Sequence, residues 1–137
     1  MSNNQAVTDT TFFEVRTAEA GSTPVEVDMR YVTVDPWAVQ FAFHTGHNVR
    51  VVWTFARSLL ADGMRLDAGE GDVRIAPHPN DQTLLRIAMH SPGGVAVFDA
   101  PLSNVTEFLE TTYRIADPAR AQTIADLQLD AFDWNPV

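Results

Sequence analysis

The chain contains no cysteine and no lysine. The first absence excludes a disulfide framework, a thiol nucleophile and a cysteine-built zinc site, and suits a reducing cytoplasm. The second means that all nine basic residues are arginine, set against 18 acids for a net charge of −9. That balance opposes non-specific binding to nucleic acid or to anionic lipid and is compatible with protein partners. Long apolar runs are missing too, and a membrane helix needs roughly 20 such residues. The first ten residues, MSNNQAVTDT, lack the apolar segment of a secretory leader. Composition thus predicts a soluble, cytoplasmic chain without direct membrane insertion.

Catalytic signatures are equally scarce. No G-x-S-x-G occurs, and nothing selects one Ser or Thr to work with His78 or His90. His44 and His47 form H-x-x-H, but across a Thr-Gly turn and without a third ligand at a metal-site spacing. Asp67 to Asp72, DAGEGD, fails the offsets of a calcium loop, and Gly69-x-Gly71 has neither a third glycine nor a following helix to cradle phosphate. The residues therefore predict no enzyme, no cofactor and no metal.

What is present is a well-patterned core. At 137 residues and 45% hydrophobic, the chain fits one domain over 11–137, preceded by a disordered polar tail over 1–10. Thr11 to Ala18, Pro24 to Thr33, Trp37 to His44 and Val49 to Phe55 read as strands. In the second, Val25, Val27, Met29 and Tyr31 alternate with polar residues. Thr23-Pro24 and Asp35-Pro36 read as turns. A short helix follows Phe55, with Gly63 suited to its left-handed C′ position. Leu66 to Gly71 reads as a loop and Asp72 to Pro77 as a strand. Thr83 to His90 and Val95 to Ala100 form a hairpin whose Ser91-Pro92-Gly93-Gly94 link has type II chemistry.

After Pro101 comes a helix with Ser103 as N-cap and a stripe of Val105, Phe108, Leu109, Thr112 and Ala116. Asp117-Pro118 opens a further helix. Strands then helix, twice over, predict an α+β fold of two packed antiparallel sheets, each closed by a short helix. Most of the aromatic rings fall on the inward period of a strand. Trp37, exposed beside the Asp-Pro turn, and Arg50, Arg57 and Arg74 are the candidate protein-contact residues, arginine being enriched among interface hot spots.

Several stretches in order carry a family resemblance: Tyr31, Asp35-Pro36-Trp37-Ala38-Val39, Phe43-His44-Thr45-Gly46, Trp53, Phe55-Ala56-Arg57, Leu59-Leu60, Gly71-Asp72-Val73-Arg74, Pro77, Ser91-Pro92, Gly94, Phe108-Leu109, Thr111 and Tyr113. From about Arg30 to Ala116 the chain resembles the SsgA-like family of actinobacterial sporulation and cell-division proteins. The resemblance implies a fold like that of the whirly single-strand-binding proteins, often a homotrimer. It also implies a non-enzymatic role at cell septa, positioning them through the tubulin-like FtsZ or other septum-assembly proteins, or aiding spore-wall peptidoglycan remodelling. The implied fold suggests single-stranded nucleic-acid binding as the alternative, which nine arginines in a chain of charge −9 serve poorly. Ser58 departs from the aspartate usual in the family after Phe-Ala-Arg.

Overall fold

The computed structural model describes residues 4–17 and 21–116. Alternating side chains produce β1 (Ala6–Thr17), β2 (Gly21–Val32), β3 (Ala38–Gly46) and β4 (Val49–Ala56). On β2, Val27, Met29 and Tyr31 are buried while Arg30 and Val32 face out. The chain passes without a linker into α1 (Arg57–Gly63), then through β5 (Ala68–Glu70), β6 (Val73–Pro77), β7 (Leu84–Ser91) and β8 (Gly94–Pro101) into α2 (Leu102–Ile115).

Both strand-to-helix junctions use one device. The residue before each helix, Ala56 or Pro101, is extended and supplies no side-chain cap. The first helical N–H is satisfied by a neighbouring segment instead: Arg57 N–H donates to Trp37 O at 2.7 Å, and Leu102 N–H to Thr83 O at 2.9 Å. One of the orphan donors of each helix start thereby finds an acceptor. Ser103, expected as the cap, lies inside the first turn of α2 and donates to Asn104 Oδ1.

The strands form one eight-stranded sheet in the order β4-β3-β2-β1-β8-β7-β6-β5. This corrects the expectation of two packed sheets. Two four-stranded meanders are joined edge to edge by an antiparallel β1–β8 contact of two residue pairs, Glu14↔Asp99 and Val15↔Phe98. The sheet then curls, as right-handed strand twist favours, so that the inner faces of the two halves meet. Phe43 of β3 and Phe98 of β8 lie 4.6 Å apart although β2 and β1 stand between their strands. Phe13, Phe41 and Phe55 continue this aromatic core, and α2 lays Phe108 on it, 6.3 Å from Phe41. Val105, Phe108, Leu109 and Thr112 are the buried stripe of α2, at the helical spacing expected.

Other local readings change. β1 starts at Ala6, opposite Val32, inside the segment expected as a disordered tail. Pro24 is a strand residue rather than a turn: it pairs with Glu14, and β2 meets β3 only from Glu26 onward, so its missing N–H costs no ladder bond. The expected Leu66 to Gly71 loop contains β5. In the β7–β8 turn the left-handed residue is Gly94 (φ 132), not Gly93 as a type II turn requires. Gly63 sits inside α1, followed by a right-handed Met64. It is needed for space, since a Cβ there would overlap Ile75 Cγ2 and lie 2.9 Å from the Ile75 carbonyl oxygen. The helix expected from Asp117 lies outside the described residues.

Candidate functional site

The four candidate contact residues are not brought together. Trp37 is 48% exposed, in the turn before β3. Arg50 lies on the outer face of β4, half exposed. Arg74 of β6 donates from Nη2 to Asp67 Oδ1 at 2.9 Å, in the other half of the sheet.

Arg57 is the correction among them. At 1% exposure it belongs to the core and presents nothing to a partner. Its guanidinium lies between the rings of Tyr31 (4.7 Å) and Tyr113 (4.3 Å), and Nη1 donates to Thr112 O at 2.9 Å. Thr112 O is in the last turn of α2, so a fixed cation meets the negative end of that helix dipole. Nε and Nη2 have no hydrogen-bond partner among the described residues. Tyr31 donates in turn to Pro36 O at 3.2 Å, and burial raises its phenol above the ordinary value of 10, with the Arg57 charge opposing. Arg57 thereby ties the β4–α1 junction, the Pro36–Trp37 turn and the end of α2 into one unit.

A polar row crosses the outer face of the first meander. Thr10 Oγ1 donates to Asp28 Oδ1 at 2.7 Å, His44 Nε2 is 3.0 Å from Asp28 Oδ2, and Arg50 Nη1 is 3.8 Å from the same oxygen. The Thr10 hydrogen bond is the main influence holding the Asp28 carboxyl below the usual carboxylate value, against a burial cost, with His44 and Arg50 assisting. Glu26, Asp28 and His44 place donor atoms within 4.8 Å of one another, whereas His47, its H-x-x-H partner in sequence, is not in the group. Those three could offer ligands to a divalent cation. Both Asp28 oxygens are already engaged, however, and the Arg50 guanidinium stands beside them, which makes the cluster an ion-pair lattice across four strands.

Sequence reasoning missed a second cluster at the joint between the meanders. Asp99 is buried in β8; its Oδ2 accepts from Arg16 Nε at 3.0 Å and its Oδ1 from Arg86 Nε at 3.1 Å. His78 Nε2 lies 2.8 Å from Arg86 Nη2 and 3.7 Å from Asp99 Oδ2. The available signal was one carboxylate in an otherwise apolar strand, GVAVFDAP. A buried carboxylate needs partners, and here two arginines supply them.

A recess opens at the end of the sheet away from Arg57. Phe43, Val51, Trp53, Met89, Ala96 and Phe98 line most of a cavity of about 250 Å³ between the β3–β4 and β7–β8 hairpins. Its walls are apolar and no titratable side chain lines it.

Comparison with known proteins places this architecture. Residues 25–120 match the family model described as Streptomyces sporulation and cell division protein, SsgA. A sporulation-specific cell division protein SsgB from Saccharopolyspora erythraea is 43% identical over 109 residues, covering 80% of this chain and 77% of the relative. The structure of SsgB from work correlating its mutations with longitudinal cell division during sporulation of Streptomyces coelicolor superposes with a TM-score of 0.79 at 37% identity, over 85% of this chain and 92% of that one. The crystal structure of an SsgA-like sporulation-specific cell division protein from Thermobifida fusca superposes with a TM-score of 0.82 at 30% identity, over 97% of this chain and 98% of that one.

Proposed function

This chain belongs to the SsgA family of Streptomyces sporulation and cell division proteins, and on that premise we propose that it is a non-enzymatic adaptor of sporulation-specific division. It works by protein–protein contact in the cytoplasm at forming septa, helping to place them by recruiting FtsZ, with spore-wall peptidoglycan remodelling as a second output. The observation that carries the reading is the 43% identity to an SsgB over 109 residues, together with the family match over residues 25–120, which takes in both helices and the Arg57 junction. The geometry is in keeping with it: the polar clusters of the sheet are spent on joining strands, which leaves the outer residues and the open recess for contact. A homo-oligomer, a trimer by family resemblance, would present several copies of such a surface to a filament and raise its avidity.

Co-sedimentation with FtsZ filaments and imaging of a fluorescent fusion in sporulating cells test the proposal together. The expected result is protein in the filament pellet and a fluorescent ladder at septa. Absence from both would refute it.

A further inference from the structure

The two edges of the sheet differ in a way the fold does not require. One edge, β5, is three residues long and is followed by Gly71 at φ 61. Short edges of this kind are how proteins discourage a further strand from adding. The other edge, β4, is eight residues long, has no proline and, among the described residues, pairs only with β3. It exposes Val49, Val51 and Val52 to between 43% and 51%.

The two rows of β4 differ in chemistry. Pairing with β3 puts Val51 and Trp53 on the inner row, opposite Phe43 and Phe41, where they wall the 250 Å³ recess. The outer row is Arg50, Val52 and Thr54. Arg50 forms an ion pair with Asp28 Oδ2 at 3.8 Å, too long for a hydrogen bond, so among the described residues its N–H groups have no carboxylate acceptor. In a chain of charge −9, no acid occurs between Asp35 and Asp62, a span that includes both strands of this hairpin.

We propose that the free edge of β4 is a docking site for an extended segment of a partner protein, which adds to the sheet as a further strand. Its bulky apolar side chains, at alternate positions, enter the recess beside Val51 and Trp53, and its intervening carboxylates face Arg50. Main-chain pairing supplies affinity and the alternation supplies register and specificity, as in strand addition generally. The charge of the rest of the molecule selects against acidic segments elsewhere; the hairpin carries no acid of its own, and the Asp28 and Glu26 carboxylates of β2 that reach its outer face are shared with His44 and Arg50. This inference rests on the adaptor reading and names the kind of segment such an adaptor takes.

The test uses the full chain and three fluorescein-labelled seven-residue peptides, followed by anisotropy. The first alternates leucine or phenylalanine with aspartate, the second carries lysine in place of aspartate, and the third is the first with alternate backbone amides N-methylated. Saturable binding of the first is expected, with the other two weaker by about tenfold. Val51→Asp should weaken the first peptide by at least about tenfold by blocking the recess. Arg50→Glu, at a half-exposed position whose ion pair with Asp28 is worth little to stability, should weaken it about fivefold and improve the lysine peptide. No saturation up to about 1 mM, or equal binding of all three, overturns the proposal. So does dissociation of a wild-type oligomer by Val51→Asp in sedimentation velocity, which would make this edge a contact between copies of the chain. If the first peptide binds but the protein does not pellet with FtsZ filaments, the docking site stands and the FtsZ reading fails. If wild type and Val51→Asp pellet alike and no peptide binds, the reverse holds.

Discussion

Replacing Arg57 should cost stability in an order that only a core strut explains. Truncation to alanine removes a charge-assisted hydrogen bond to Thr112 O, worth about 1.5–3 kcal/mol. It also removes the cation from two ring faces at 4.7 and 4.3 Å, each worth about 1–2 kcal/mol when desolvated, and leaves a void where two methylenes and the guanidinium packed. Against this, Nε and Nη2 no longer sit buried without a partner, a relief of about 1–3 kcal/mol. The net expectation is a loss of about 4 kcal/mol for Arg57→Ala, large against a domain stability of roughly 5–15 kcal/mol. Arg57→Met keeps the volume, contacts both rings through sulfur and takes the charge out of the core, so it should cost only about 1–2 kcal/mol. Arg57→Lys keeps the charge but not the flat guanidinium between two rings and should fall between them. Urea unfolding followed by tryptophan fluorescence reads all three, with the slope checked for constancy. Losses below about 0.5 kcal/mol throughout would mean that Arg57 behaves as a surface residue. Methionine as costly as alanine would mean that volume plays no part, and either result refutes the reasoning.

Gly63→Ala should destabilise by about 1–3 kcal/mol despite alanine's better helix propensity, because the new Cβ meets Ile75 backbone as well as side chain; a rise in the urea midpoint would contradict this. Asp99→Ala should cost about 3–5 kcal/mol, since it leaves Arg16, Arg86 and His78 facing one another at the β1–β8 joint, and hydrogen exchange should rise first in β1 and β8. Asp28 is held below its ordinary value of 3.8, so its share of stability is fully present above that value and is lost as pH falls through the lower folded value. The acid limb of the stability curve below about pH 4 should therefore be shallower in Asp28→Asn and in Thr10→Val, which removes the largest cause, with the limb above pH 5 unchanged.

The strands were legible where one face is buried and the other wet, as in Val27, Met29 and Tyr31 of β2, because burial imposes a period of two. α2 was legible for the corresponding reason at 3.6. Its start was misread because capping propensity describes side chains, whereas here a backbone carbonyl from Thr83 fills the role. The joining of the halves could not be read at all. Phe13, Phe43 and Phe98 are inward residues whether two sheets stack or one sheet curls, and the decision falls on two residue pairs at Glu14 and Val15.

Arg57 shows the same limit in the candidate site. An arginine just after a strand reads as a surface charge, since single-residue chemistry takes guanidinium to water. What reverses it is the meeting of three separate segments, Tyr31 on β2, Tyr113 and Thr112 on α2, and Trp37 in a turn, none of which announces a counterpart at Arg57. The absence of lysine bears on this, because lysine has no planar face to stack between two rings. Arg50 lies seven residues earlier, on β4, and met the same expectation; it stays outside because the strand's alternation puts it on the outer row. One end of β4 is thus locked by a buried cation while the other end is left bare.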